Sequence, residues 1–193
     1  TYGAIFSLSR KALINDDLNA FADFASAAGQ AAANTVADLL VNALTQSSGA
    51  GPTMGDGVRL FHVDHANLDT TGQAIGVDSV SAARVAMLTQ TGVDGSTLIN
   101  VKPDTLIVAP SNLTAAEQFV ATYQPANYDD TTPFTQKLAI VCEPRLEAVS
   151  PFDWYIADSR FPALVLGGLA GAEGPQIASR DGFDVLGREF RVV

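Results

Sequence analysis

Two histidines and an aspartate close together in the chain are the side chains with the clearest chemical potential. His62 and His65 are three residues apart, with Asp64 between them. Two histidines at this spacing can share a metal ion on a helix, and a carboxylate could complete the ligand shell. The chain has no third histidine, however, and no glutamate where a His-Glu-x-x-His hydrolase needs its base. The flanking Gly, Asn and Asp residues indicate a hydrogen-bonded loop, and a metal-dependent hydrolase using His62 and His65 stays an alternative.

The other side chains that could do chemistry lack the partners that catalysis needs. Cys142 lies in the apolar run 138–142, where a thiol behaves as a small hydrophobic side chain. Asp129 and Asp130 could bind a cation weakly, but they stand in a loop rich in Pro, Asn and Thr. The sequence contains no Gly-x-Ser-x-Gly elbow, phosphate-binding loop or dinucleotide-binding fingerprint. We therefore predict no enzymatic activity, no metal site and no cofactor.

The composition argues against a protein that binds nucleic acid or a membrane. The 193 residues include 21 acidic and 11 basic side chains, and a net charge of −10 opposes the basic surface that such proteins need. One cysteine excludes an intramolecular disulfide and a cysteine-rich zinc module. No apolar run approaches the roughly 20 residues of a membrane span. A charged fraction of only 17%, with 47% apolar residues, indicates that part of the surface meets another subunit.

The elements that must position these residues begin with a predicted strand over 1–9 and a turn over 10–13. One long helix is predicted over about 14–46, because apolar residues recur three and four positions apart. Asp16 and Asp17 suit its first turn, where the helix dipole favours acidic side chains.

The middle of this helix consists almost entirely of small residues. Ala25, Ala28 and Ala32 share one face, which allows a neighbour to pack very closely. Gly29 predicts either a kink or a close approach by a neighbouring backbone, because glycine is unfavourable inside a helix.

The rest of the chain alternates between short strands and helices, so the predicted class is α+β. Helices are predicted from Asp78 or Ser79 to Gln90 and from Ser111 or Asn112 to Tyr123. Strands are predicted at 105–109, 138–142, 154–157, 163–166, 175–177 and 188–193, the last two around a turn at 181–187.

Both ends of the chain have strand-like patterns without a polar tail, and the first residue is not methionine. Free-standing proteins usually end in residues that can fray. We therefore expect this sequence to be a fragment of a longer chain.

Several segments, taken in order, resemble the major capsid proteins of tailed phages. The start of the long helix, Arg10-x-x-Leu13-Ile14-Asn15-Asp16-Asp17, follows a strand as it does in that family. The likeness is to Mu-type head subunits, including those made as fusions to a ClpP-like prohead protease. The similar segments are 6–18, 57–68, 80–84, 103–110, 143–146, 154–155 and 180–184.

The resemblance implies the Hong Kong ninety-seven-type capsid fold, with a long spine helix in a peripheral domain and a mixed α/β axial domain. Residues 1–77 would be the peripheral portion, with the spine helix over about 14–46 and a loop. Residues 78–193 would be the axial domain with return strands. The N-terminal arm, most of the extended loop and any fused protease would lie outside this sequence. Because that arm and loop reach across neighbouring subunits in the family, we expect the fragment alone to be a monomer or a small oligomer.

The resemblance also implies a function. The chain would be a structural subunit of a phage or prophage icosahedral head that self-assembles in hexamers and pentamers around the DNA genome, without sequence-specific DNA binding. Its partners would be copies of itself, with a portal and a scaffold or prohead protease during assembly. It would be found in the virion, and in the host cytoplasm during assembly. An encapsulin-like shell of a protein compartment is the alternative within the same fold.

The candidate subunit-contact residues combine three features of the chain. They are charged positions at the start of the helix, its small-residue face, and one arginine that follows a predicted strand. These residues are Arg10, Lys11, Asp16, Asp17, Ala25, Ala28, Ala32 and Arg145.

Overall fold

The computed structural model describes residues 3–14, 24–121, 138–167, 170, 176–182 and 186–192. The chain forms two compact units, one built from Thr1–Leu39 with Leu166–Val193 (unit 1) and one from Leu40–Val165 (unit 2). The sequence placed its division at residue 77, which falls inside unit 2. The difference arises because strands from the two ends of the sequence pair with each other, so both ends belong to one unit.

Unit 1 contains an antiparallel sheet of three strands. Strand β1 spans Ala4–Ser9, β5 spans Ile177–Asp181 and β6 spans Gly187–Val192. β6 is central: it pairs with β1 from Ala4↔Val192 to Ser9↔Gly187, and with β5 along its other edge. Arg180 and Glu189 lie directly opposite each other on β5 and β6 and form an ion pair of 2.6 Å. The predicted strands at 1–9 and 188–193 are confirmed over the described residues, whereas the strand predicted at 175–177 is observed at Ile177–Asp181.

Two helices follow β1 in the sequence. Helix α1 spans Arg10–Ile14, so the predicted turn at 10–13 is wrong. Arg, Lys, Ala and Leu all favour helix, and the Arg10 amide donates a hydrogen bond of 2.7 Å to the Leu186 carbonyl.

Helix α2 spans Phe24–Thr45 and confirms that part of the predicted long helix. Residues 15–23 lie outside the described residues, so the continuity of α1 with α2 stays a prediction. The helix continues through Gly29. Apart from its chain neighbours and its own helix backbone, a Cβ at Gly29 would meet no described atom within 4 Å. The predicted approach of a neighbouring backbone is therefore not seen within the described part of this chain.

Unit 2 is built on a mixed sheet with β2, Thr105–Val108, at its centre. β3, Ala139–Cys142, pairs with it in parallel, and β4, Trp154–Ala157, pairs antiparallel. Helix α3 spans Val77–Leu88, α4 spans Pro110–Val120 and α5 spans Leu146–Val149. Pro110 occupies the first turn of α4, where its missing N–H costs no helical hydrogen bond.

The core of unit 2 has two clusters around this sheet. Leu106 and Val108 of β2 are fully buried with Ala116 of α4, and Val80 of α3 packs with Phe119 and Leu138. Trp154 packs against both clusters. Its indole Nε1 donates a hydrogen bond of 2.9 Å to the Gln73 carbonyl.

Some predicted element limits differ from the observed ones. Residues 163–166 are not a strand. Val165 and Leu166 are mostly exposed, so these apolar side chains are not buried against a sheet of the described chain. α3 and α4 begin one or more residues earlier than predicted and end earlier, and the short α5 was not predicted. None of the described helices combines the length and apolar character that crossing a membrane requires.

Candidate functional site

The two histidines lie in a tight turn of the segment 49–67 in unit 2. Residues Val63–His65 form one turn of 3-10 helix, and the amide of Asp64 donates to Nδ1 of His62 at 3.2 Å. The His62 amide in turn donates to the side-chain oxygen of Asn67 at 3.0 Å. The hydrogen-bonded turn expected from the flanking residues is therefore present.

Both ring nitrogens of His65 face acceptors. Nε2 lies 2.8 Å from Asp56 Oδ2, and Nδ1 lies 3.0 Å from the Leu60 carbonyl oxygen. Carboxylate and carbonyl oxygens only accept, so both bonds form only when the ring is protonated. The bond to Asp56, followed by that to Leu60, accordingly raises the pKa of His65, and the bond from His65 lowers the pKa of Asp56.

Two further contacts fix the backbone of the segment 49–67. The side-chain amide of Gln90 donates to the His65 carbonyl at 2.9 Å. Gly51 is buried with a φ of +75°, and a Cβ there would lie 2.9 Å from the Leu60 Cβ. Glycine is the residue that fits this position, because it has no Cβ and tolerates positive φ. The arrangement makes the two histidines part of a structural loop.

We expect the stability of this loop to depend on pH. The pKa of His65 is raised above its ordinary 6.5, so its contribution is fully present below pH 6.5 and is lost as the pH rises through the raised pKa. Asp56 has a pKa lowered from 3.8, so its contribution is present above pH 3.8 and is lost as the pH falls through the lowered pKa. Amide hydrogen-exchange protection at residues 56–67 should therefore fall a few-fold between pH 6 and pH 9.

His65→Gln is the variant that tests this prediction, because glutamine keeps hydrogen-bonding capacity without a charge. It should remove the pH dependence of protection, whereas His62→Gln should leave most of it. Protection in the wild type that stays constant from pH 6 to pH 9 would contradict the assigned role of His65.

The remaining side chains considered for chemistry lie apart from one another. Cys142 is half-buried at the end of β3. Asp129 and Asp130 lie outside the described residues. Within the described ranges, no three His, Cys, Asp or Glu side chains come together in a way that could hold a metal ion.

The candidate subunit-contact residues fall in both units. In unit 1, Arg10 and Lys11 are exposed on α1, while Ala28 is buried and Ala32 half-buried on α2. Asp16 and Asp17 lie outside the described residues, and so does the side chain of Ala25.

Arg145, in unit 2, lies between β3 and α5. Its Nη1 atom lies 3.0 Å from Glu143 Oε1, which also accepts from the Arg145 amide at 3.1 Å. The ion pair holds the turn that follows β3. The assignment of these residues to a subunit contact stays a prediction.

A pair of aspartates that the sequence did not single out joins the segments flanking β2 and β4. Asp158 is buried after β4, and its Oδ2 atom accepts from the Lys102 amide at 2.7 Å. Its Oδ1 atom accepts from the amide of Arg160 at 3.0 Å and from the Arg160 Nε at 2.9 Å. The carboxylate thus fixes the chain before β2 to the chain after β4.

Asp104, before β2, makes the reciprocal connection. It accepts from the amide of Ser159 at 3.0 Å, from the Ser159 hydroxyl at 2.5 Å and from the Thr105 hydroxyl at 2.7 Å. The Arg160 side chain lowers the pKa of Asp158, and the Ser159 hydroxyl lowers that of Asp104. We call Asp104 and Asp158 the carboxylate clasp. No short motif marks it, because its partners are more than 50 residues apart in sequence.

We expect Asp158→Asn to lower the melting temperature of the protein at neutral pH. Both clasp pKa values are lowered from 3.8, so their stabilisation is present above pH 3.8 and is lost as the pH falls through the lowered values. The variant should therefore also show a weaker loss of stability between pH 5 and pH 2, measured by circular dichroism.

Asp153→Asn is the matched control for this variant, because it removes the same charge from an exposed position before β4. It should change both the melting temperature and the acid profile much less. Equal effects of the two substitutions would show that total charge, rather than the clasp, controls the acid response.

Comparison with known proteins gives the family of this chain. A family described as phage capsid protein matches residues 1–193. A search of curated proteins and a search of solved structures each give no match. Proteins of a capsid family are structural, self-assemble into a shell and are found in the virion. The match covers the whole sequence, and we conclude that the chain belongs to the phage capsid protein family.

Proposed function

We propose that this protein is the major structural subunit of a tailed-phage or prophage icosahedral head, and that its hexamers and pentamers form the shell around the DNA genome. The observation that carries the proposal is the family match over residues 1–193. Several segments resemble Mu-type head subunits and occur in the same order, which supports a head subunit of the Mu type. A prohead protease would be fused to the chain or act beside it. A portal and a scaffold would complete the assembly partners, and assembly would take place in the host cytoplasm.

The charge distribution supports a shell that encloses DNA without reading its sequence. Acidic residues outnumber basic ones, 21 to 11. Several basic side chains are engaged within the chain, since Arg145 pairs with Glu143, Arg160 with Asp158 and Arg180 with Glu189. Binding to phosphates depends on available Lys and Arg side chains. A subunit with this excess of acidic side chains would not hold the genome by its phosphates as it is packaged.

We assign each of the two units a structural role in the shell. Unit 1 contains most of α2 and the β1-β6-β5 sheet, and we assign it the peripheral role with α2 as the spine helix. Unit 2 contains the β3-β2-β4 sheet and α3 to α5, and we assign it the axial role around a capsomer.

Electron microscopy of the protein expressed from its complete reading frame tests the proposal. We expect closed icosahedral shells, and we expect particles from induced host cells to contain nuclease-protected DNA. Neighbouring genes for a portal, a terminase or a prohead protease should accompany the reading frame. Shells that contain protein cargo and no DNA would overturn the phage-head proposal, and an absence of shells would overturn the assembly role.

A further inference from the structure

A hairpin between α3 and β2 presents apolar side chains to solvent. In residues 90–99, the Ile99 amide donates to the Gln90 carbonyl at 3.0 Å, and the Gly92 amide donates to the Thr97 carbonyl at 2.8 Å. Val93, at the tip, is fully exposed, and Leu98 is mostly exposed. Single exposed apolar residues are common on protein surfaces. A fully exposed valine at the tip of an internally hydrogen-bonded hairpin is better suited to binding than such single residues, because a rigid tip loses little entropy on binding.

Asp94 holds the tip of this hairpin in one conformation. Its carboxylate accepts from the amide and hydroxyl of Thr97, at 3.0 and 2.5 Å, and from the amide and hydroxyl of Ser96, both at 3.2 Å. These bonds, led by that from the Thr97 hydroxyl, lower the pKa of Asp94. The tip therefore combines an exposed apolar side chain with a fixed negative charge.

A groove of about 410 Å³ in the same unit has the complementary character. Its basic lining residues are Lys102, which is exposed, and Arg84. Its apolar lining residues are Val80, Leu88, Pro103, Leu138 and Ile156. Leu88 precedes the hairpin in sequence and Lys102 follows it, yet the full exposure of Val93 shows that the hairpin tip does not fill the groove of its own chain.

We propose that the tip of the 90–99 hairpin of one copy docks in this groove of a second copy, with Val93 against the half-buried Leu88, Pro103 and Ile156 and Asp94 beside Lys102. The occupant is a second copy because the family self-assembles and because tip and groove match in both apolar character and charge. The proposal rests on the proposed shell function and specifies one of its contacts.

This contact joins two different surfaces, a tip on one copy and a groove on the next. Such a heterologous contact generates a ring when the rotation between copies closes. It therefore suits the hexamers and pentamers of the proposed shell, in which every copy would give one tip and receive another.

Cross-linking between two variants tests the contact. In a Cys142→Ser background, the Val93→Cys chain and the Lys102→Cys chain are assembled together and treated with a short bismaleimide. We expect a dimer on a denaturing gel from the mixture, at least severalfold more than from either variant alone. The control mixture pairs Val93→Cys with Gln118→Cys, an exposed position on α4. Equal cross-linking in the two mixtures, or none in the test mixture, overturns the proposal.

A charge reversal gives a second test that does not depend on cysteine geometry. Lys102→Glu should lower the assembled fraction severalfold, because it places a second negative charge beside Asp94, whereas Lys102→Arg should leave the assembled fraction close to that of the wild type. Full assembly of the Lys102→Glu variant, or an equal loss in both variants, counts against the contact. Microscopy of the wild type separates the two proposals: shells without the specific cross-link reject only the contact, whereas the cross-link without shells rejects only the shell.

Discussion

Gly187→Ala is expected to disrupt the pairing of β1 with β6 and to lower the melting temperature of the protein. A Cβ at Gly187 would lie 2.8 Å from the Leu8 carbonyl carbon and 2.8 Å from the Ser9 Cα. Both atoms belong to backbone, so no side-chain rotation relieves the contact, and the two strands must separate or shift. Overpacking of a rigid contact typically costs about 1–3 kcal/mol. We expect a cost at the upper end of that range, and loss of amide exchange protection along Ala4–Ser9.

Gly29→Ala is the matched control, because it adds the same methyl group where no described atom beyond its chain neighbours and its own helix backbone lies within 4 Å. Gly29 is inside α2, and alanine is favoured over glycine in a helix interior by about 1 kcal/mol. The two substitutions should therefore shift the melting temperature in opposite directions. An unchanged melting temperature for Gly187→Ala would show that β1 and β6 tolerate a wider spacing than the structure has.

Leu106→Ala is expected to have the largest effect in unit 2. Leu106 is fully buried in the central strand β2, and Ile140 and Trp154 pack against its cluster. Truncation of a buried leucine removes transfer free energy and leaves a cavity, at a cost of about 2–5 kcal/mol. Urea unfolding followed by the fluorescence of Trp154, the one tryptophan of the chain, measures the change in the free energy of unfolding. Trp154 reports on this cluster because it packs against it.

Val141→Ala is the control for that experiment. Val141 lies on the edge strand β3 with 45% of its surface exposed, so its truncation should cost well under 1 kcal/mol because little buried surface is lost. Similar urea midpoints for the two variants would indicate that the β2 cluster is not the main source of stability in unit 2.

Secondary structure and turns are predicted best where they depend on residues that are close in sequence. The strand at the start, helix α2 and the strand at 154–157 follow from local apolar spacing, and the hydrogen-bonded character of the histidine turn follows from the residues around it. Residues 163–166 are apolar without being a strand, since alternation does not reveal whether a pairing partner exists.

Features that join distant residues escape such reasoning. The carboxylate clasp depends on partners more than 50 residues away, and nothing local marks Asp104 or Asp158 as different from an exposed aspartate. Gly187 is equally inconspicuous in a turn region, although its missing side chain is what lets β1 approach. The tip and groove need the structure as well, because exposure and cavities are properties of packing.

The pairing of β1 with β6 has a consequence for how the chain folds during synthesis. Unit 2 is a continuous stretch, whereas the sheet of unit 1 needs residues from both sides of it. Residues 40–165 emerge from the ribosome before β5 and β6 do, so unit 2 can begin to fold while β1 still lacks its partner. An unpaired strand edge is prone to wrong association. We expect the nascent chain to fold unit 2 first and to complete the β1-β6-β5 sheet only after residue 192 emerges.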